Sequence, residues 1–486
     1  MYIENRVFSA VMAGLILLSL ATNSCTDTIF LANFDGTYDA VFAKGDRTFR
    51  MADDMEEGSV KLVEGKYGGG LFVGRNVPAL AISYATKENF KFEKGTLEFW
   101  FRPEWTMADT EDIMGPNLFK YITFFSTSGD PTRFCLYKNQ YNWLIWDYRL
   151  DYQTKGKVIT QYSSQSDVIK PGKWTHMAVS WDTGEARLFI DGNLVSISDI
   201  WDIPGMLGDR MALGSPGYGK GLGADGTFDD FRISDHQRYI SSFIPPDTPL
   251  KVDVLSSVPT VPSPSQEEKD NWQKKRTMFF VDFRYGLVAN FSLGNGLGGS
   301  NSILKIEEKD GRQAVRLNRR AQIGDTLWFP TYGNINVNMS TVDIDICFSD
   351  PLQLPAVIFD TSKVVCNPFS PQDQHARSGT RLILDPSSRM VFECIEGGKL
   401  LSYVMSCPLT VEAGRWHRFS VSWGGGVRLY FDGKKVAEEN SFPLPSTTDK
   451  YFFVGSDSQG INTIDGWIGR IEITLWNTLS ECPSAR

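Results

Sequence analysis

Two carboxylates two positions apart on a β-strand share one face. A pair of carboxyl groups about 5–5.5 Å apart is what a retaining glycosidase needs, one as nucleophile and the other as acid and base. Val342-Asp343-Ile344-Asp345-Ile346 comes nearest to that pattern here. At the corresponding place in the first half stand Glu98 and Trp100, so the pair is not repeated. The expectation is therefore that Asp343 and Asp345 are acids on the solvent face of a strand. Only four histidines occur, at 176, 236, 375 and 417, and none has the company of a zinc-ligand cluster. His176 and His417 read as structural or surface residues rather than catalytic bases. Gly294-Asn-Gly296-Leu-Gly-Gly299 has nucleotide-loop spacing, but Ser300-Asn-Ser-Ile-Leu-Lys-Ile after it reads as loop into strand rather than helix. No G-x-S-x-G nucleophile motif is present. No residue is assigned a catalytic role.

Aromatic residues are the stronger signal. Flat rings pack on the C–H faces of sugars, while carboxylates, guanidinium groups and amides hold the hydroxyls. Tyr141 to Tyr152, YNWLIWDYRLDY, is dense in rings. Tyr141, Trp143, Asp147 and Arg149 fall on one alternate face, and Trp105, Trp201 and Tyr218 sit in loops expected to rim it. These seven are the candidate sugar-contact residues. Trp100, Trp174, Trp181, Trp416 and Trp423 are assigned to the scaffold.

The elements that must position these groups are strands. Thr175–Gly192, THMAVSWDTGEARLFIDG, returns as RFSVSWGGGVRLYFDG ending at Gly433. The pair Trp174 and Trp181 is spaced as Trp416 and Trp423, Arg187-Leu188 matches Arg428-Leu429, and Asp191-Gly192 matches Asp432-Gly433. Thr96–Phe101 aligns with Thr341–Ile346, Gly214-Ser215 with Gly455-Ser456, and Asp225-Gly226 with Asp465-Gly466. Repetition of these stations in one order marks two homologous domains. Period-2 alternation puts Met177, Val179 and Trp181, and likewise Phe419, Val421 and Trp423, on a dry inter-sheet face. Asp-Gly at the end of each copy suits a hairpin turn with φ > 0.

The boundaries expected are a signal segment at 1–25, a first domain at 26–248, a linker with a short helix at 249–276, a second domain at 277–480 and a tail at 481–486. Ser256–Ser265, SSVPTVPSPS, has linker composition, and Ser265-Gln-Glu-Glu268 forms a capping box that starts a helix through Lys275. Val7–Ala21, apolar behind Arg6, reads as an export signal, with Ser19-Leu20-Ala21 suiting cleavage. Cys25 offers the other reading, a lipid-modified cysteine that anchors the chain to a membrane. Export permits disulfides, and five of the seven cysteines (25, 135, 347, 366, 394, 407, 482) lie in the second half, where one or two bridges are expected. With 49 basic against 58 acidic residues, nucleic acid is excluded as a partner.

W-x-H-x-A-V-S-W-D with R-L-F-I-D-G, followed by FDDFRISDHQRY from Phe228, resembles the laminin-G-like domain of the concanavalin A-like lectin/glucanase superfamily. Ile29–Gly36, IFLANFDG, and Lys66–Val73, KYGGGLFV, resemble the opening of such domains. The resemblance implies an all-β chain of two tandem concanavalin A-like jelly-roll sandwiches joined by the Pro/Ser linker. It also implies glycan or protein binding outside the cell. The glucanase strand of the superfamily carries a third acid, where this chain has Cys347 and Phe348. Domains of this kind often hold calcium where the first and last strands meet. The matching residues are Asp35 and Asp229, with Asp230 as helper, and the second copy has Arg284 and Gly469-Arg470 there instead. The leading expectation is an exported, non-catalytic protein whose first domain binds a glycan or cell-surface polysaccharide. Two alternatives stand beside it: a glycoside hydrolase or polysaccharide lyase of the same fold, and a surface adhesin that binds another protein.

Overall fold

The computed structural model describes residues 28–105, 122–128, 133–138, 144–149, 158–162, 169–182, 185–199, 208–217, 222–252, 262–321, 323–362, 378–446 and 448–475. The chain divides into two compact units. Described residues of the first run to Ile240 and again from Pro245 to Val252; those of the second are Ser241–Ile244 and everything from residue 262 on.

Each unit is two antiparallel sheets around one core. In the first unit one sheet runs Asn193–Asp199, Glu185–Ile190, Thr175–Asp182, Gly95–Pro103, Gly226–Ser234, Thr28–Ala32, Phe42–Ala43. Gly69–Val73 also pairs with Gly226–Ser234 and carries Val60–Glu64. The facing sheet runs Val158–Tyr162, Leu144–Arg149, Arg133–Lys138, Ile122–Thr127, Arg210–Leu213, Ile82–Ala85, Arg50–Met51. The second unit repeats the first order as Lys434–Glu439, Val427–Phe431, Trp416–Trp423, Ser340–Phe348, Gly466–Thr474, Thr277–Val281, Phe291–Ser292, with Arg312–Leu317 and Lys305–Lys309 attached in the same way. Its facing sheet runs Trp328–Pro330, Tyr451–Val454, Ala356–Asp360, Gly379–Leu384, Met390–Glu396, Lys399–Met405.

The repeated phrase behaves as its alternation demands. Met177, Val179 and Trp181 enter the first core, and Phe419, Val421 and Trp423 the second. Trp181 stacks on Phe90 and Trp146 at ring-centroid distances of 5.3 and 5.8 Å, and Trp423 stacks on Phe392 at 5.9 Å. Both Asp-Gly turns are left-handed, with φ of 47° and 74° at Asp191 and Gly192, and 48° and 77° at Asp432 and Gly433. Each Asp carboxylate also accepts the backbone N–H that opens the preceding strand, from His176 and from Arg418, both at 2.8 Å. The phrase is a core hairpin locked by its own turn.

A helix spans Gln266–Lys275 behind N-cap Ser265, whose hydroxyl accepts from Glu268 N while the Glu268 carboxylate accepts from Ser265 N. Gly294–Gly299 opens no helix; Gly299 bridges Trp328, and a Cβ there would meet that ring at 2.1 Å. Among the described residues, no helix is long and apolar enough to cross a membrane. No disulfide joins any two of the described cysteines 135, 347, 394 and 407, so no bridge expected in the second half forms among them. Cys347 lies on the first sheet of its unit and Cys394 on the facing sheet. Cys25, Cys366 and Cys482 lie outside the described residues, as do the signal segment and residues 253–261 of the linker.

Candidate functional site

The outer face of the first sheet is where the two units diverge. In the first unit, Gly95–Pro103 sends Leu97, Phe99 and Phe101 inward, so Thr96, Glu98, Trp100 and Arg102 face out. That face is roofed. Residues 235–240 and 245–251 return across it, tied by Arg238 N and Thr96 Oγ1 (2.8 Å), Tyr239 N and Ser180 Oγ (3.2 Å), and Tyr67 OH and Pro246 O (3.0 Å). Under the roof Glu98 is wholly buried. Arg232 meets its Oε1 at 2.8–2.9 Å, Tyr239 OH donates to Oε2 at 2.8 Å, and His176 Nε2 lies 3.3 Å from Oε2. Burial pushes the Glu98 carboxyl up, but Arg232 and then the His176 hydrogen bond outweigh it and hold the group well below the usual carboxylate range. Glu98 is a sealed anion, closed to any substrate.

On the equivalent strand of the second unit, Asp343 stands at the place of Glu98 and Asp345 at that of Trp100. Asp345 is 5% exposed and takes both nitrogens of one side of Arg418, at 2.7 and 3.2 Å, with Arg312 at 3.4 Å and Arg470 at 3.6 Å. Asp343 accepts the Ser420 hydroxyl, and burial raises its carboxyl. The expectation of solvent-facing acids is corrected for Asp345, because three guanidinium groups cover it. Its register partner on the adjacent strand, Arg470, stands where the first unit has Asp229 opposite Trp100, so the copies differ at both residues of this pair. His417 hydrogen-bonds Asp432 through Nδ1 at 2.9 Å and accepts from Glu412 N at 3.0 Å. His176 and His417 are thus both structural, one on a carboxylate under the roof and one beside a turn.

The acids matched to a calcium site converge on the turn between Val60–Glu64 and Gly69–Val73. Asp35 Oδ1 accepts from Gly69 N at 2.7 Å, and Asp229 Oδ2 accepts from Lys66 N and Tyr67 N at 2.7 and 2.9 Å. Asp230, in a bulge at φ 51°, accepts from Leu250 N at 2.8 Å. Burial raises both neighbours, Asp230 to about 7, against the pull of these N–H groups. A Cβ on Gly69 would lie 2.2 Å from Phe34 O and one on Gly65 2.7 Å from Asp229 Oδ2, which is why this turn is glycine-rich. Asp229 Oδ1 is buried with no hydrogen-bond partner. These are hard oxygen donors of the kind Ca²⁺ takes, and one is spare. Among the described residues no three His, Cys, Asp or Glu side chains are grouped closely enough to cage a metal by themselves, so main-chain carbonyls and water would have to complete the coordination. In the second unit Phe283 (φ 63°) matches Phe34 (φ 59°), and Arg284 after it turns outward to Asp282 at 2.7 Å and Glu268 at 3.4 Å. It does not fill the place of a cation.

The ring platform fares differently. Trp105 is 1% exposed, donates its indole N–H to Ala224 O at 3.3 Å and lies 5.0 Å beneath Lys138 Nζ. It is a core residue, and its assignment to a sugar-contact rim is corrected: the chain leaving Gly95–Pro103 turns into the sandwich instead of over it. Tyr141, Trp143, Trp201 and Tyr218 lie outside the described residues. Asp147 and Arg149 sit on Leu144–Arg149, paired in register with Cys135 and Arg133. The structure adds rings that the scaffold assignment passed over. Trp174 and Trp416, at matching places on the outer face, are each half-buried under an arginine, Arg102 at 5.0 Å and Arg312 at 4.7 Å. Their odd-even phase relative to Met177 and Phe419 was the available signal.

A laminin-G model described as the concanavalin A-like lectin/glucanases superfamily matches residues 81–239 and 360–478, more than half of the sequence, and the chain belongs to this family. Among solved structures it is similar to domain 4 of AbnA, an extracellular GH43 arabinanase from Geobacillus stearothermophilus, in complex with arabinotriose. That match has 17% identity over 44% of this chain and 94% of the other, with a TM-score of 0.30. It is also similar to domains LG4-5 of the mouse laminin alpha1 chain (10% identity, 87% and 91% covered, TM-score 0.24) and to the receptor-binding domain of botulinum neurotoxin type G (12%, 89% and 98%, TM-score 0.31). All three are too distant to carry anything about what this chain binds. No curated protein matches the chain.

Proposed function

We propose that this is an exported recognition protein without catalytic activity, which binds a glycan through its first sandwich. The observation that carries the reading is the state of the acids on the two central strands. A glycoside hydrolase of this fold needs carboxylates open to its substrate, one of them free to exchange a proton. Glu98 is sealed against Arg232 and Tyr239, and Asp345 is held by Arg418. Family membership supports the binding reading. The candidate contacts are Tyr141, Trp143, Asp147, Arg149, Trp201 and Tyr218. Export rests on the apolar Val7–Ala21 stretch, and Cys25 is the residue that a lipid anchor would modify.

Calcium is part of the proposal. Asp35 and Asp229 would hold it, with Asp230 beside them, and Asp229 Oδ1 is the oxygen waiting for a partner. A bound Ca²⁺ would supply charge neutralisation that ties the first strand, the last strand and the glycine-rich turn together. Asp35→Asn and Asp229→Asn should abolish any calcium-dependent rise in melting temperature. A melting temperature indifferent to both EDTA and added calcium rejects the metal.

The test of function is a glycan array probed with the intact chain and with Trp143→Ala, together with a reducing-sugar assay on the same polysaccharides. The expected result is binding that weakens in the variant, without product. Release of sugar from any polysaccharide, with no retained binding, overturns the proposal in favour of an enzyme.

A further inference from the structure

The second unit has a concave feature that its sheets do not explain. Three loop segments at one end of that sandwich, 318–321, 349–355 and 455–465, line a cavity of about 290 Å³ with Arg319, Arg320, Gln353, Ile461, Asn462 and Thr463 among others. That is close to the roughly 300 Å³ lower end of small-ligand sites and is room for one sugar ring. Its lining is polar, with two guanidinium groups and two side-chain amides.

The charge inside it is unbalanced. Arg320 Nη2 donates to Asp325 at 2.8 Å, so that arginine is neutralised. Arg319 is anchored through Nη1 alone, to the main-chain oxygens of Gln353 at 3.1 Å and Pro355 at 2.8 Å. No carboxylate among the described residues lies within ion-pair distance of it, and its Nε and Nη2 are unoccupied.

Comparison of the two units explains why. Val73 pairs with Gly226 and Leu317 with Gly466, so Arg75 and Arg319 occupy the same place two residues on. Arg75 is neutralised by Asp225, through Nε at 3.0 Å and Nη2 at 2.9 Å. The equivalent acid, Asp465, is taken instead by Arg316 at 2.6 Å. The substitution of partners frees Arg319 and leaves its fork at the cavity, with the unpartnered amides of Gln353 and Asn462 on the same lining.

We infer that this cavity is a binding site for the oxyanion, carboxylate or sulfate, of an acidic sugar residue. The fixed Arg319 fork matches the two oxygens of such a group in a bidentate pair, and the amides provide donors and acceptors for ring hydroxyls. The chain's net charge of −9 opposes long-range attraction of an anion, so affinity must come from the short-range contact itself. The inference rests on the glycan-recognition reading for its ligand class, but on a different unit and different residues.

The experiment is calorimetric titration of the intact chain with trigalacturonate, its neutral methyl ester and a sulfated disaccharide, repeated with Arg319→Gln and Ile461→Trp. Ile461 is 44% exposed on the lining, so the indole fills the cavity while leaving both anchors of Arg319 in place. At least one acidic ligand should bind at least ~10-fold tighter than the methyl ester, and both variants should erase that preference. Preference for trigalacturonate assigns the site to uronates, and preference for the sulfated sugar alone assigns it to sulfate esters. Equal affinity for acid and ester, or an acid preference that survives both variants, overturns the inference. If the array finds neutral glycans bound through Trp143 while Arg319 is without effect, the cavity site fails and the recognition reading stands. If the acid preference depends on Arg319 while Trp143→Ala changes nothing, the cavity site stands and the first-unit reading fails.

Discussion

Glu98→Gln isolates the charge of one buried side chain with almost no change in volume. In the native protein the carboxylate is fully buried and neutralises Arg232, which is itself only 4% exposed. The amide removes that ion pair, and breaking a buried pair from one side costs about 3–5 kcal/mol. Tyr239 OH loses its charged acceptor at the same time, so residues 235–240 lose a tie to the sheet. The expected loss is therefore about 3 kcal/mol or more, confined to the first unit. Hydrogen exchange followed by mass spectrometry on peptides covering 226–234 and 466–474 separates the two units. The first should exchange roughly 100-fold faster, since 1.4 kcal/mol is a factor of ten, and the second should be unchanged. The sign of the pH effect follows from the depressed carboxyl. Its stabilisation is complete above the ordinary value of 4.5 and fades only as the pH falls toward the lower folded value, so the deficit in the variant should be constant between pH 5 and 8. Exchange at 226–234 within about 0.5 kcal/mol of wild type would refute the ion-pair argument. Loss of a hydrolytic activity without loss of protection would show instead that Glu98 is catalytic.

Asp360 gives the opposite pH dependence. It is fully buried and burial raises its carboxyl from 3.8 to about 7, so stability of the second unit should decline as pH rises from 4 through 7. Asp360→Asn should flatten that decline and be more stable than wild type at pH 8 by a few kcal/mol, because each tenfold change in proton affinity on folding is worth about 1.4 kcal/mol; equal melting curves at pH 5 and 8 for wild type would contradict it. Trp105→Ala should destabilise the first unit by about 3–5 kcal/mol in urea unfolding, as expected of a core tryptophan, whereas a sugar-contact tryptophan would lose binding and keep stability. Gly69→Ala places a Cβ 2.2 Å from Phe34 O and should open the turn, seen as faster exchange at residues 66–73; unchanged exchange there would show that the turn adapts.

Signals confined to a few neighbouring residues were legible without a structure. Alternation assigned Met177, Val179 and Trp181 to one face, Asp191-Gly192 and Asp432-Gly433 to left-handed turns, and Ser265 with Glu268 to a helix start. Each depends on backbone geometry within ten residues, and the repetition of the pattern identified two sandwiches of one family. Tertiary structure alone decided which outward face is open. Arg232 reaches Glu98 from 134 positions away and Tyr239 from 141, and together they turn an outward-facing acid into a sealed one. Trp105, which loop composition placed at a rim, is buried because the chain after Pro103 turns inward. Likewise the freedom of Arg319 depends on Arg316 taking Asp465, a choice of partner made across 149 residues. Side-chain spacing along a strand determines which way a group points; what it meets there is set by segments that only folding brings together.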